Sequence, residues 1–436
     1  MSDVMQRGRA ATTAQRSEDR GIAVIGTACR FPGAGDPESF RRLLREGRSA
    51  LTEPPPGRAP AAAHIGGRPL PGGFVDAEVF DPEPFGISPR EAAAMDPRQR
   101  LLLELAWESA EDARLPVERL RGSRTGVFVG AMGDDHSART AEPTHHTLTA
   151  TSRAVIANRI SYVFGLRGPS MAVDTGQSSA LAAVHLAVES LRRGESDLAA
   201  AGGAHLNLAP EAAEREREFG ALSPSGRCRT FDARADGYAR GEGGGVVLLK
   251  PLAQARADGD RVHAVLLGGA VGNDGGGPSL AAPTAGGQAD VVRLACRDAG
   301  VDPAEVGYVE LHGTGTRAGD PVEAAALGEA LGAHRPAGDP LPVGSVKTNI
   351  GHLGAAAGIA GLIKAVLAVE SGELAPVAGF ASAHPDIPLA DLGLAVQRTA
   401  EPWPATGARR VAGVSSFGMG GTNCHMLLAQ PPPGTG

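Results

Sequence analysis

The sequence predicts an α/β fold. Three observations carry that reading: aliphatic runs of strand length, helical stretches between them, and a motif order in the first half that returns in the second. Ile22–Ile25 closes on Gly26 and reads as a strand, followed by an irregular Arg30-Phe-Pro-Gly loop that is not a GxGxxG turn. Residues 53–71, rich in Pro, Gly and Ala, read as a surface loop with no core contribution. Met95-Asp-Pro-Arg-Gln-Arg opens an amphipathic helix running toward Ala113, and Gly126–Gly130 is a second buried strand. Ser178 to Arg193 is helical, with Leu181, Val184, Ala187, Val188 and Leu191 on one face and Gly194 as its stop. Gln177 therefore stands at a strand-to-helix junction. Gly244–Leu249, Val262–Leu267 and Val306–Leu311 follow as strands, with a helix at 287–299 between the last two. In the second half Val343–Lys347 leads to His352 and a small-residue helix at 355–370, echoing the arrangement around Gln177. Two such helices can pack backbone to backbone.

A chain of 436 residues exceeds one ordinary core, so a double-lobed unit is expected: 21–255 as the N-terminal half, 256–430 as the C-terminal half, a polar leader at 1–20 read as disordered, and a tail at 431–436. The formal net charge of −7 removes the electrostatic ground for binding nucleic acid or an anionic membrane. The four cysteines are scattered without CxxC spacing, which fits buried small hydrophobes in a reducing, cytoplasmic setting and argues against a disulfide frame or a zinc site. Residues 1–20 lack the apolar segment of a signal peptide, and Leu353–Val369 contains Lys364, so it reads as a core helix rather than a membrane span.

The chemistry centres on Val173-Asp-Thr-Gly-Gln-Ser-Ser, where glutamine occupies the place a nucleophile would take. Its carboxamide cannot form an acyl-thioester, yet it donates and accepts hydrogen bonds. His312 opens His-Gly-Thr-Gly-Thr and His352 closes Lys347-Thr-Asn-Ile-Gly-His; each sits in a tight turn, unlike the remaining histidines, which read as core or surface residues. Two neutral imidazoles donating N–H to one carbonyl form an oxyanion hole for an enolate. Lys347 is one of only three lysines, and the expected role is to hold a histidine while pairing with Asp320 or Glu323; Asn349 stands in the same supporting motif. Gly418-Met-Gly-Gly-Thr-Asn-Cys-His is neither a P-loop nor a metal pair. Its backbone N–H groups, such as that of Phe417 or Gly418, are expected near a substrate oxygen.

Together with Phe85-Gly-Ile-Ser-Pro-Arg-Glu-Ala, Gly168-Pro-Ser, Phe231-Asp-Ala-Arg-Ala-Asp-Gly and Gly420-Gly-Thr-Asn, these motifs resemble the ketosynthase domains of modular polyketide synthases over about residues 21–430. The resemblance implies a thiolase fold, two pseudo-symmetric βαβαβαββ halves in a five-layered α-β-α-β-α core. The family pattern Asp-Thr-Ala-Cys-Ser-Ser stands here as Asp174-Thr-Gly-Gln-Ser-Ser, so Gln177 falls on the nucleophilic cysteine, and Gly176 for the usual alanine is expected to reshape the pocket. This is similar to the glutamine-bearing, KSQ-type ketosynthases of loading modules. The resemblance implies decarboxylation of a malonyl- or alkylmalonyl-acyl carrier protein thioester to a starter unit, with His312 and His352 on the thioester carbonyl, Thr314 and Thr316 orienting the substrate, and Gln177 in the acyl position. It further implies no resident cofactor, a substrate carried on phosphopantetheine, acyl carrier protein as partner, and a homodimer. Two other readings stay open: a silent partner of the chain-length-factor or gatekeeping kind, and acyl transfer through Ser178.

Overall fold

The computed structural model describes residues 20–139, 143–336, 338–404, 409–431 and 433; the expected leader at 1–20, apart from its last residue, and most of the tail lie outside them. Two halves with the same strand order meet edge to edge. The first half contains β1 (Ile22–Arg30), α1 (Pro97–Asp112), β2 (Thr125–Gly130), α2 (Val155–Phe164), β3 (Ser170–Val173), α3 (Ser179–Arg192), β4 (Leu198–His205), α4 (Pro210–Phe219) and β5 (Gly243–Pro251). The second contains β6 (Ala264–Asn273), α5 (Ala285–Ala299), β7 (Tyr308–Glu310), α6 (Gly319–Ala330), β8 (Leu341–Gly344), α7 (Ala357–Ser371), β9 (Leu394–Val396), β10 (Val411–Phe417) and β11 (Thr422–Ala429).

Strands run β3-β2-β4-β5-β1 in one half and β8-β7-β10-β11-β6 in the other, with β9 added beyond β8. In each half the third, second and fourth strands are parallel and the fifth turns back antiparallel. The halves join where β1 pairs β6 antiparallel through Ile22–Leu266, Ala23–Val265 and Val24–Ala264.

Helices α1 and α2 cover the outer face of the first half, α5 lies on β6 and β11 of the second with α6 against it, and α3 and α7 pack on each other between the two halves of the eleven-stranded sheet. This is the expected five-layer α/β arrangement of the thiolase fold. Both faces of each half of the sheet are covered, which is why the strands read as continuous apolar runs rather than alternating ones. The central helices approach closely because a Cβ at Gly358 would stand only 2.7 Å from Leu181 Cβ. Leu181, Val184, Val188, Ile359, Leu362 and Val366 fill that layer, each worth roughly 1.5–3 kcal/mol of transfer free energy. Helix α7 continues the one stretch, 354–371, long and apolar enough to cross a membrane among the described residues, and it is 83% buried inside the protein.

The 53–71 segment is more than surface. Ala61, Ala62 and Ala63 are buried, Ala63 packs with Ala213 of α4 and with Leu222, and Arg58 pairs with the buried Glu242. Its Pro/Ala-rich composition hides this because small side chains bury against a neighbour without an apolar periodicity. All four cysteines are buried thiols.

Candidate active site

Loops that follow parallel strands of both halves, carrying Gln177 after β3, His312 after β7 and His352 after β8, line one cavity of about 1020 Å³. Gln177 reaches it from the turn between β3 and α3, which is held by its own side chains: Ser178 Oγ donates to the Thr175 carbonyl at 2.9 Å, and the Thr175 N–H donates to Ser179 Oγ at 3.0 Å. Ser178 is fully buried beneath that turn and does not line the cavity. Gly176 has φ +67°, a left-handed conformation that a side chain disfavours, and an added Cβ would meet nothing closer than 3.8 Å. Turn geometry, not pocket volume, accounts for that glycine.

The Gln177 carboxamide is anchored at one end. Its Oε1 accepts the Met419 N–H at 2.9 Å, and its backbone carbonyl accepts from Ser416 Oγ at 2.9 Å. With the oxygen engaged, the NH2 is the end left to meet a ligand. Phe417 and Gly418 line the cavity but their N–H groups are spent on His312 Nδ1 and the Thr422 carbonyl. Neither supplies the expected substrate-facing donor, because the β10–β11 turn uses these two amides to close itself and to fix an imidazole, and the next amide, that of Met419, is spent on Gln177.

His312 and His352 face each other across the cavity with ring centroids 5.5 Å apart and planes at 81°. His312 Nδ1 accepts the Phe417 N–H at 3.2 Å and His352 Nδ1 accepts the Gly354 N–H at 3.1 Å. An Nδ1 that accepts leaves the proton on Nε2. Burial, and then the nearby Lys347 charge, hold both imidazoles well below their ordinary pKa, so they are neutral Nε2–H donors.

The His312 loop is tied down by two buried carboxylates on α6. Glu323 accepts the N–H groups of His312 and Gly313, each at 2.7 Å; Asp320 accepts those of Phe231 at 2.7 Å and Gly315 at 3.0 Å. Burial raises both, Asp320 to about 7, against the pull of these N–H groups. Thr314 and Thr316 line the cavity with their hydroxyls 2.9 Å apart. Lys347 is buried behind the histidines, and burial lowers its pKa despite Glu310 and Glu323. Among the described residues no ion pair joins it to Asp320 or Glu323, since those oxygens already serve the loop amides, so its influence is through space. Asn349 lies off the cavity; its Nδ2 donates to the Arg48 carbonyl at 2.8 Å and pins a neighbouring loop.

Sequence reasoning misses His205, which ends β4 on the cavity wall with Nδ1 buried and without a hydrogen-bond partner. Burial, then Arg240 and Arg98, push its pKa down to about 3. The available signal is that β4 runs parallel to β2, which also carries β3, so its last residue falls on the same side as Gln177.

Family profiles match nearly the whole chain: the β-ketoacyl synthase N-terminal domain at 19–255, its C-terminal domain at 263–381 and the ketoacyl-synthetase C-terminal extension at 384–435. Polyketide synthase GfsA of Streptomyces halstedii is 55% identical over 96% of this chain, which spans 6% of that protein. A phenolphthiocerol/phthiocerol polyketide synthase of Mycobacterium tuberculosis is 50% identical over 97% of the chain, 24% of its own length. Among solved structures, the ketosynthase from module 6 of the bacillaene synthase of Bacillus subtilis 168 superposes with TM-score 0.88 at 35% identity, over 94% of this chain and 72% of that one. The oxazolomycin ketosynthase domain OzmH KS7 of Streptomyces albus JA3453 does so with TM-score 0.88 at 39% identity, over 95% and 74%.

Proposed function

The chain belongs to the β-ketoacyl synthase family, and we propose that within it the chain decarboxylates a malonyl- or alkylmalonyl-acyl carrier protein thioester to an acetyl- or propionyl-type starter, without a covalent acyl-enzyme. One observation carries this reading: the Gln177 carboxamide, which the motif resemblance sets at the family's cysteine position, is anchored on the Met419 N–H in one cavity with two neutral Nε2–H imidazoles.

The proposed step breaks the bond between Cα and the carboxylate. Carbon dioxide leaves, the electron pair passes into the Cα–carbonyl system, and the enolate oxygen receives hydrogen bonds from His312 and His352. Donors fixed before the charge develops need no reorganisation when it arrives. The Gln177 NH2 binds the malonyl carboxylate while its oxygen stays on Met419, and Thr314 and Thr316 orient the thioester arm. A proton from water then reaches Cα. Glu323 and Asp320 act by holding the His312 loop, and Lys347 by keeping both imidazoles neutral.

Acyl transfer through Ser178 is disfavoured by its burial and its bonds to Thr175. A silent partner protein has no use for two imidazoles held as Nε2–H donors. The proposed homodimer uses the open edge of β3, where Met171 and the neighbouring Tyr162 of α2 are exposed, the latter by 83%. The test is carbon dioxide release from malonyl-carrier protein by this chain alone. A pure scaffold protein releases none.

A further inference from the structure

We infer that His205, from the first half, is a positioning residue for His352 of the second: its ring backs Gly354, and the Gly354 N–H fixes His352 as an Nε2–H donor. This rests on the decarboxylase reading, in which that donor meets the enolate oxygen.

The backbone of His352 is held by the other half of the protein. Its N–H donates to the Ala239 carbonyl at 2.8 Å, its carbonyl accepts the Gly241 N–H at 2.9 Å, and Tyr238 lies against its ring with centroids 5.0 Å apart. All of these come from residues 238–241, just before β5. The bond to the ring comes instead from its own half: the Gly354 N–H on Nδ1 at 3.1 Å decides which nitrogen carries the proton.

That amide is steadied by His205. Gly354 opens the short turn Gly354–Ala356 that leads into α7, with φ +45°, a left-handed conformation that glycine adopts at little cost. Where its side chain would project lies the His205 imidazole: an added Cβ would come within 2.7 Å of both Cε1 and Nδ1 and within 2.8 Å of Nε2. Near-equal approach to three adjacent ring atoms sets the face of the imidazole, not its edge, against the glycine. The ring is itself fixed as the last residue of β4, where His205 pairs with Gly243 of β5.

His205 Nδ1 is buried without a partner, which costs stability, so an apolar side chain would serve folding better. What the imidazole supplies is a flat surface beside a residue that has no Cβ. The arrangement is the reciprocal of the Gln177 anchor, in which the Met419 amide of the second half fixes a side chain of the first.

The experiment measures carbon dioxide release from malonyl-carrier protein by wild type, His205→Ala, His205→Phe, His352→Ala and the double variant His205→Ala/His352→Ala. Nitrogen resonances of His352 and His312 are read in the same proteins without substrate. His205→Ala should lower kcat by about tenfold to a hundredfold with KM unchanged. It should also turn His352 from a single Nε2–H tautomer into a mixture, while His312, held by Phe417, keeps its own and shows that the fold is intact. His205→Phe keeps a flat ring and should return kcat to within about threefold of wild type. The double variant should be no slower than His352→Ala, because a residue that acts only through His352 then has nothing left to act on. Additive losses in the double variant overturn the inference, as does an unchanged His352 tautomer in His205→Ala. So does a His205→Phe protein that is as slow as His205→Ala with His352 in one tautomer, since a ring nitrogen of His205 would then meet the ligand itself. If wild type releases no carbon dioxide, the decarboxylase reading fails, and the His352 resonances separately decide whether His205 sets its tautomer.

Discussion

The Met419 N–H and the Gln177 Oε1 stand 2.9 Å apart, joining the β10–β11 turn of one half to the start of α3 in the other. A backbone donor of one half is thereby satisfied by a side chain of the other. The pairing also fixes which end of the carboxamide faces the cavity, since a bound oxygen leaves the NH2 outward.

Removing that side chain should therefore cost transition-state stabilisation without unfolding the turn. Gln177→Ala is expected to lower kcat for carbon dioxide release by about 10²–10³, the effect of losing one oriented donor. Gln177→Cys should restore a group that accepts acyl chains, visible as a mass increase on the intact protein. Unchanged turnover in Gln177→Ala would sink the assigned role.

The imidazole pair makes a separate prediction. His312→Ala and His352→Ala should each reduce kcat by a comparable factor, and the double variant should fall short of the product because the two donors share one oxygen. Since burial and Lys347 depress both rings, their nitrogen resonances should report a neutral Nε2–H tautomer at pH 6. Imidazolium signals at that pH would contradict the electrostatics.

These groups differ in how plainly the chain announces them. His312 and His352 stand in glycine-rich turns after aliphatic runs, and Gln177 precedes a long apolar helix face, so local pattern suffices to single them out. His205 follows Leu198-Ala-Ala-Ala-Gly-Gly-Ala, which has no β-branched residue to mark a strand. It becomes β4 because α3 and the neighbouring strands bury it, a tertiary cause that no short window contains. Helix α4, with its alternating charges, is likewise silent until Ala213 is seen to pack on residue 63. Met419 escapes for another reason: which amide of a glycine-rich turn reaches Gln177 depends on the hairpin's hydrogen bonds, not on residue type.

Stability should depend on pH through His263. Its Nε2 lies 3.0 Å from Asp112 at the end of α1 and its Nδ1 lies 3.0 Å from Glu370 on α7, a clamp between the two halves. Burial opposes the charge, but the two carboxylates outweigh it and raise the imidazole to about 9. A folded pKa above the unfolded value of 6.5 means that the stabilisation, about 3 kcal/mol at 1.36 kcal/mol per pKa unit, is complete below that value and is lost as pH rises through about 9. The gap in melting temperature between wild type and His263→Gln should close between those limits. A gap that widens with pH would reverse the assignment.

Glu310 makes the sharpest stability prediction because everything around it is buried. Its Oε2 receives Lys364 Nζ at 2.7 Å and Tyr308 Oη at 2.6 Å, while Oε1 accepts the Val346 N–H at 2.6 Å, one residue before Lys347. Both charged side chains are at most 2% exposed. Deleting one partner strands the other charge away from water, so Lys364→Met is expected to cost about 3–5 kcal/mol in denaturant unfolding. Pairing it with Glu310→Gln removes the stranded charge while keeping an acceptor for Val346, and should recover more than half of that loss. If the double variant were no more stable than Lys364→Met alone, the penalty would lie in packing of the lysine stem rather than in the unpaired carboxylate, and the charge-based account of this core would be wrong.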